Sequence, residues 1–595
     1  MKMKRVVACM FAALSGVAAS QAIAQSTPTQ FSLLEATVPQ MQAAMQSGLL
    51  SSEQLVKMYL ARIAAYDDAG PALNAYLHVN PQAVSEANTL DALRFAPGRP
   101  VGPLHGIPVG LKDIIDTGDM PTTGGAVGMA GSIPFDDAFI TRKLRAAGAV
   151  ILGKLTLTEF ANFVTSGMPA GYSSLGGYGF NPYDPVPLPG GDGRPRLSPS
   201  GSSSGSGIAT AANLAAVTIG TETSGSILSP SNANGIVGIK PTVGLVSRDG
   251  IIPITADQDT AGPMTRTVTD AAIVLGVIAG YDPNDPATEA CLDEGKCLSD
   301  YTPFLDKNAL QGARLAVPPF PNNRADLMNA AIAKMRAAGA TVDQIPALAS
   351  IGVPGILNYG QKRDVNAYLD TLPDTFPIQS LADLIAFNQA NAGIALKYGQ
   401  TSFIASNALD ISPDSADTAT YIANRDLGYE RSRGIINGAL NGPDGIEGTE
   451  DDYDAIVYSG SGSAGTWARA GYPSIVVPLG FVESNGVPIP SGISFAGRAF
   501  GEAKLIALGY AFEQLNQGRV PPSSTPALVS DVVKLGDVNG DGSVDSADIS
   551  LVSKRLNQPA TGPYDKADVD RDGRITALDT RRITALCSRA RCATK

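Results

Sequence analysis

The chain has 595 residues, 44% hydrophobic and 17% charged. That size exceeds what one ordinary core holds and predicts at least two folded domains. Its formal net charge of −12 argues against a nucleic-acid partner, and its 64 glycines and 42 prolines predict many loops.

Met1 to Ala24 reads as a secretory signal peptide. Lys2, Lys4 and Arg5 form a basic start, Val6 to Val17 is apolar, and Ala22-Ile23-Ala24 fits a cleavage site between small residues. The apolar run is shorter than the roughly 20 residues a membrane span needs. Nothing later is long and apolar enough to span, so a soluble, exported chain (periplasmic or extracellular) with no membrane partner is expected. Cleavage takes the formal charge from −12 to −15 and removes Cys9. The four remaining cysteines form two close pairs, Cys291 with Cys297 and Cys587 with Cys592. In an oxidising compartment each pair is expected to close a small disulfide loop. A metal site would need more soft ligands, and neither pair has a histidine near it.

Residues 31 to 93 read as helices. Ser51 and Gln54 stand at capping-box spacing, and Leu55, Met58, Tyr59 and Ile63 follow a helical stripe. From Leu104 to Ile115 the pattern turns strand-like and carries Lys112 near its end. Such a lysine is commonly half-buried and paired, here with Asp113 or Asp116; desolvated, it can instead be neutral and accept a proton. Asp137 to Ala147 reads as a helix and Ala149 to Lys154 as a strand, which makes Lys154 a rival lysine. Residues 181–199 are dense in Pro and Gly and exclude regular structure. They lead directly into Ser202 and either shape the mouth of a site or form an ordinary surface loop.

Residues 198–240 hold two Gly/Ser clusters. The first runs from Ser200 to Gly205, the second from Gly220 to Ser226. Between them Ile208 to Leu214 predicts a helix and Ala215 to Ile219 a buried strand. A helix and a returning strand can bring both clusters to one sheet edge. Ser202 and Ser226 would then face one another, with glycines letting backbone N–H groups approach a substrate. Gly201 to Gly205 also fits G-x-S-x-G, the serine turn of α/β-hydrolases, centred on Ser203. That chemistry needs a histidine after the serine, and the two histidines, His78 and His105, both precede it. No lysine has a serine three residues before it, so the S-x-x-K pattern fails too.

Residues 265–440 alternate helical and strand-like segments without a self-contained motif. The acidic loop 441–454 matches no EF-hand ligand pattern and reads as a solvated loop more readily than as a calcium site. Pro521 to Pro526 reads as a linker. Beyond it a repeat appears at a spacing of 31 residues, Asp537 to Asp548 and Asp568 to Asp579. Asp537, Asn539 and Asp541, and Asp568, Asp570 and Asp572, supply oxygens at loop positions 1, 3 and 5. Gly542 and Gly573 follow, Ser543 and Arg574 offer backbone carbonyls, and Asp548 and Asp579 close the loops. These are hard ligands for about two Ca²⁺ ions in EF-hand-type loops. Helical patterns follow each loop, at Ile549, Val552 and Leu556 and at Ile583 and Leu586.

The two Gly/Ser clusters resemble the signature of the amidase signature family. Gly106 to Asp113 resembles its lysine motif. Gly238 to Ile254, Gln258 to Met264, Leu381 to Gln389 and Ala470 to Ser474 resemble its bacterial peptide amidase branch, and the likeness runs over roughly residues 31 to 520. The tandem loops, with Asp at the last position, resemble a type I dockerin module. These resemblances imply an α/β fold, a large mixed sheet flanked by helices, followed by a small all-α calcium-binding domain. The implied division is a signal peptide 1–24, an amidase domain 25–525, a linker 526–536 and a dockerin-like module 537–595. They further imply Ser226 as nucleophile, Ser202 as a bridge entered by a cis peptide bond, and Lys112 as base, with Lys154 and Lys240 structural. Backbone N–H groups of Thr223, Ser224, Gly225 and Ser226 would hold the oxyanion, and catalysis would need no cofactor. The expected reaction is hydrolysis of C–N amide bonds, above all C-terminal amides of peptides. Fatty-acyl or aryl amides, and an inactive dockerin-borne binding component, are the alternatives. A cohesin-type partner is implied for the module. Ser224 departs from the branch, which usually has Asp there, and this bears on specificity more than on the triad.

Overall fold

The computed structural model describes residues 28–484 and 486–594. The signal-peptide reading of Met1–Ala24, with Cys9, lies outside them. Among the described residues eleven strands form one mixed sheet. In chain order they are β1 Tyr76–Val79, β2 Pro108–Lys112, β3 Val150–Leu155, β4 Val217–Glu222, β5 Val237–Lys240, β6 Thr260–Thr265, β7 Arg314–Val317, β8 Thr341–Gln344, β9 Ala455–Ser459, β10 Ser474–Ser484 and β11 Val487–Ala496. Across the sheet the order is β8-β7-β9-β11-β10-β5-β6-β4-β2-β3-β1. β2 runs parallel to β3 on one side and to β4 on the other. β2, β3 and β4 are buried along their whole length, which is why β2 and β3 read as nearly continuous apolar runs rather than alternating ones.

Helices flank the sheet. The stripe Leu55, Met58, Tyr59 and Ile63 is buried as expected, and Ser51 Oγ accepts from Gln54 N at 3.0 Å to cap that helix. β1 lies within the stretch that reads as helical. It is a four-residue edge strand, and its antiparallel pairing with β3, Tyr76 to Leu155 and His78 to Lys154, decides its conformation. The central helix runs over Ser204–Ala211 and β4 over Val217–Glu222. The strand extends to Glu222 because it pairs antiparallel with β6 from Thr218 to Glu222, and the helix starts earlier than the sequence reading for a different reason. Gly205 presses against the end of β3, and a Cβ there would stand 2.6 Å from both the N and the O of Thr156. Tertiary packing therefore draws the glycines into the helix despite their poor propensity.

Both cysteine pairs are joined, Cys291 to Cys297 and Cys587 to Cys592. Among the described residues no helix is long and apolar enough to cross a membrane. The C-terminal module carries helices Ser546–Ser553 and Ala577–Leu586 around its own core of Val544, Val552, Val569, Ile575 and Ile583. The segment before it is tied to the body. Gln30–Ser32 pairs antiparallel with Val532–Lys534. Arg62, fully buried, meets Asp531 at 2.5 Å and donates to the carbonyls of Thr525 and Pro526. Arg571 of the second loop donates to the Gly48 carbonyl of the body at 2.7 Å.

Candidate active site

Lys112 ends β2 and is fully buried. Its Nζ lies 2.7 Å from Ser202 Oγ and 2.9 Å from Thr221 Oγ1. Burial pushes its pKa down from the ordinary lysine range to about 7, with Asp259 and Glu222 opposing the shift. The half-buried pairing with Asp113 or Asp116 does not occur. Asp113 stands 3.6 Å from Lys154 Nζ instead, while Asp116 accepts from the Tyr368 hydroxyl. Lys154 is further held by Thr122 Oγ1 at 2.6 Å, and Lys240 donates to the carbonyls of Pro241 and Tyr472. Of these three lysines, Lys112 is the one hydrogen-bonded to a serine of the clusters.

The peptide bond between Gly201 and Ser202 is cis. The Ser202 carbonyl accepts from Thr158 N at 3.0 Å and Ser204 N at 2.9 Å. A Cβ on Gly201 would come within 2.4 Å of Thr158 Oγ1, so the close approach needs glycine there. Ser203, the centre of the G-x-S-x-G pattern, is fully buried and exchanges hydrogen bonds with the backbone of Thr221. Its N–H donates to the Ser226 carbonyl at 3.2 Å, which joins the two Gly/Ser clusters.

The second cluster leaves β4 and turns into helix Leu228–Ala233. The Glu222 carboxylate closes that turn, accepting from Ile227 N at 2.8 Å and Leu228 N at 2.9 Å. Gly225 takes φ +91, a left-handed conformation that favours glycine. Among the described residues the N–H groups of Ser224, Gly225 and Ser226 donate to no protein acceptor. Ser224 is exposed, whereas Thr223 and Ser226 are buried. Thr223 is braced from behind: its hydroxyl donates to Asp259 and its carbonyl accepts from Gln258 Nε2 at 3.2 Å. Asp259 also accepts from Ile254 N and Thr255 N, each at 2.8 Å, and burial raises its carboxyl to about 6.

Sequence reasoning assigned no role to Thr221, Asp259 or the turn after β9. Thr221 lies inside the second cluster and Asp259 inside the Gln258–Met264 motif, so both were within sight. The turn Ser459 to Gly465 is a third Gly/Ser run. Ser461 Oγ lies 3.1 Å from Ser229 Oγ, and Ala464 faces Gly225. Its composition matches the first two clusters, and that was the available signal. The 181–199 segment is fastened at its tip. Lys397 Nζ donates to the Asp192 carbonyl at 2.9 Å, and Tyr398 donates to the Asp192 carboxylate.

In the module, carboxylate oxygens of Asp568, Asp570 and Asp572 all lie within 4.8 Å of one another. Asp570 Oδ1 is buried without a hydrogen-bond partner, and the Arg574 side chain is exposed. Asp579 accepts from Val569 N and Thr576 N. The first loop folds the same way: Asp537 accepts from Gly540 N and Gly542 N, Asp541 from Ser543 N, and Asp548 from Val538 N, Asn539 N and Asp545 N. An all-oxygen donor set with an orphaned buried carboxylate oxygen fits a calcium ion. The carboxylates of the acidic loop 441–454 instead accept from its own amides, as Asp451 does from Asp444 N and Asp452 from Gly448 N.

The chain belongs to the amidase family, whose pattern matches residues 54–352, and it is an amidohydrolase acting on C–N bonds. Residues 535–585 match the dockerin type I domain. The native peptide amidase of Stenotrophomonas maltophilia is 41% identical, with a TM-score of 0.72 over 83% of this chain and 99% of that one. An amidase family protein of Bacillus anthracis superposes with a TM-score of 0.75 at 36% identity, over 82% of this chain and 93% of that one. A probable amidase of Arabidopsis thaliana is 39% identical over 508 residues, 83% of this chain and 92% of that protein.

Proposed function

We propose that this amidohydrolase cleaves C-terminal carboxamides of peptides through a Ser-cisSer-Lys acyl-enzyme mechanism, outside the cytoplasm. The observation that carries the mechanism is the 2.7 Å contact of buried Lys112 with Ser202, beside the cis Gly201–Ser202 bond. Neutral Lys112 takes the Ser202 proton while Ser202 takes that of Ser226. Ser226 Oγ attacks the amide carbonyl, and the N–H groups of the Thr223–Ser226 turn receive the oxyanion. The proton returns through Ser202 to the leaving amine, and water then releases the acyl group. None of these steps needs a cofactor.

The likeness to a peptide amidase supports the substrate class, and the two disulfides are consistent with an oxidising compartment. In the module, Asp537, Asn539, Asp541, Asp548, Asp568, Asp570, Asp572 and Asp579, with the carbonyls of Ser543 and Arg574, would hold two calcium ions. The ions would neutralise clustered carboxylates and fix the loops. The module is a docking unit for a cohesin-type protein, and the division at 1–24, 25–525, 526–536 and 537–595 belongs to the same reading. Ammonia release is the test, measured on peptide amides, fatty amides and anilides with the mature chain and with Ser226→Ala. Release from peptide amides that the substitution abolishes is expected. Activity confined to fatty amides or anilides would keep the mechanism and overturn the substrate class.

A further inference from the structure

Arg469 lies in the last turn of helix Ala464–Ala470 and is buried, with 7% exposure. Among the described residues it forms no ion pair: Asp257 acts on it through space but is bound to Arg363 at 3.3 Å. Its charge is directed along a chain of hydrogen bonds. Nη2 donates to the Asn424 carbonyl at 2.7 Å, on helix Ala416–Leu440. Nη1 donates to Gln258 Oε1 at 3.1 Å. An arginine can only donate, so the Gln258 amide has one orientation, with its NH₂ turned the other way. That NH₂ donates to the Thr223 carbonyl at 3.2 Å. The Thr223 carbonyl and the Ser224 N–H belong to one peptide group. The chain therefore runs from guanidinium N–H to the Gln258 amide, and from there to the peptide whose N–H is Ser224's. Gly428 makes the arrangement possible, because a Cβ there would stand 2.2 Å from Arg469 Nε.

We propose that Arg469 and Gln258 are positioning residues for the oxyanion turn, which polarise the Thr223–Ser224 peptide so that the Ser224 N–H donates more strongly to the developing negative charge. This rests on the acyl-enzyme reading above. Each link is a donor feeding the acceptor end of the next amide dipole, and such chains strengthen their terminal donor. Arg469 contributes a positive charge; the Asp257 carboxylate acts on it through space but makes its ion pair with Arg363 at 3.3 Å, so the hydrogen bonds of the Arg469 guanidinium are left to the Asn424 carbonyl and the Gln258 amide. The role also accounts for Ser224 being tolerated where the resembling branch carries Asp: the donor is a backbone group, and its strength is set from behind.

The test is Gln258→Glu in the full mature chain. It keeps the side-chain shape and an acceptor for Arg469, but removes the donor to Thr223. The expected result is kcat lower by about 10- to 100-fold with KM changed by less than about threefold, since the interaction acts in the transition state. A peptide aldehyde, which forms a tetrahedral adduct on the serine, should bind weaker in proportion to the loss in kcat/KM. The corresponding peptide alcohol should bind as to the wild type. Arg469→Lys should retain more activity than Arg469→Met at equal melting temperature. Unchanged kcat in Gln258→Glu, or aldehyde and alcohol weakened alike, would overturn the proposal. If Gln258→Glu does not fold, the Arg469 pair decides: equal kcat in Arg469→Lys and Arg469→Met overturns it. Turnover that survives in Ser226→Ala would instead remove the acyl-enzyme reading beneath it.

Discussion

In the proposed mechanism, Lys112 is the residue where burial becomes chemistry. With its pKa lowered to about 7, the neutral form that accepts a proton grows in as pH rises through that value. The acid limb of kcat is expected to have an apparent pKa near 7, and the pH–rate profile on a peptide amide measures it. The same burial sets a stability slope. Between about pH 7 and the unfolded lysine value of about 10.4, the unfolded chain binds the extra proton, so stability rises with pH across that window. Lys112→Met should abolish turnover and reduce the slope, leaving the part that buried Lys154 and Lys240, both also lowered, contribute, read as melting temperature against pH. Ser226→Ala should lower kcat by about 10⁴-fold or more, as loss of a serine nucleophile does, without lowering the melting temperature.

At the scale of elements, the site depends on how closely helix Ser204–Ala211 meets β3. Gly205→Ala would place a methyl against the Thr156 backbone and the Ala75 carbonyl. Rigid backbone cannot give way as a side-chain tip can. The expected loss is about 1–3 kcal/mol in urea unfolding. Because Ser202 sits at the entrance to this helix, kcat should fall as well. Glu222 does the equivalent for the second cluster, since both bonds that close the turn end on one carboxylate oxygen.

Over the whole molecule, the C-terminal module is seated on the amidase body, and the connecting segment is the seat. Arg62 is satisfied by Asp531 and by the carbonyls of Thr525 and Pro526. A chain ended after residue 535 keeps these partners, and one ended after 524 leaves a buried guanidinium without them. The shorter chain is expected to lose about 3–5 kcal/mol, the cost of breaking a buried pair, while the longer one melts as the intact catalytic body does. Calcium removal is expected to act on the module first. Chelation should speed amide exchange in loops 537–548 and 568–579. Through the bond from Arg571 to the Gly48 carbonyl, it should also raise exchange around residue 48. Hydrogen exchange with and without chelator measures both.

The parts whose chemistry is local can be read along the chain. The repeated loops of the dockerin type I match were legible because an EF-hand-type loop takes its residues from a short contiguous run. The cysteine pairs were legible because they lie five and six residues apart. The two Gly/Ser clusters and Lys112 were legible through their motifs, and the absence of any histidine after Ser203 excluded the rival serine chemistry. Which groups face one another follows from packing between distant segments. It gave Asp113 and Asp116 to the neighbourhood of Lys154 and Tyr368 rather than to Lys112. It drew Gly205 into a helix that its propensity opposes, made an edge strand of Tyr76–Val79, and packed the segment before the module against Arg62. Spacing along a chain reports contacts only as far as one turn or one hairpin reaches. The brace from Arg469 to Thr223 joins residues more than 200 positions apart, and folding alone brings them together.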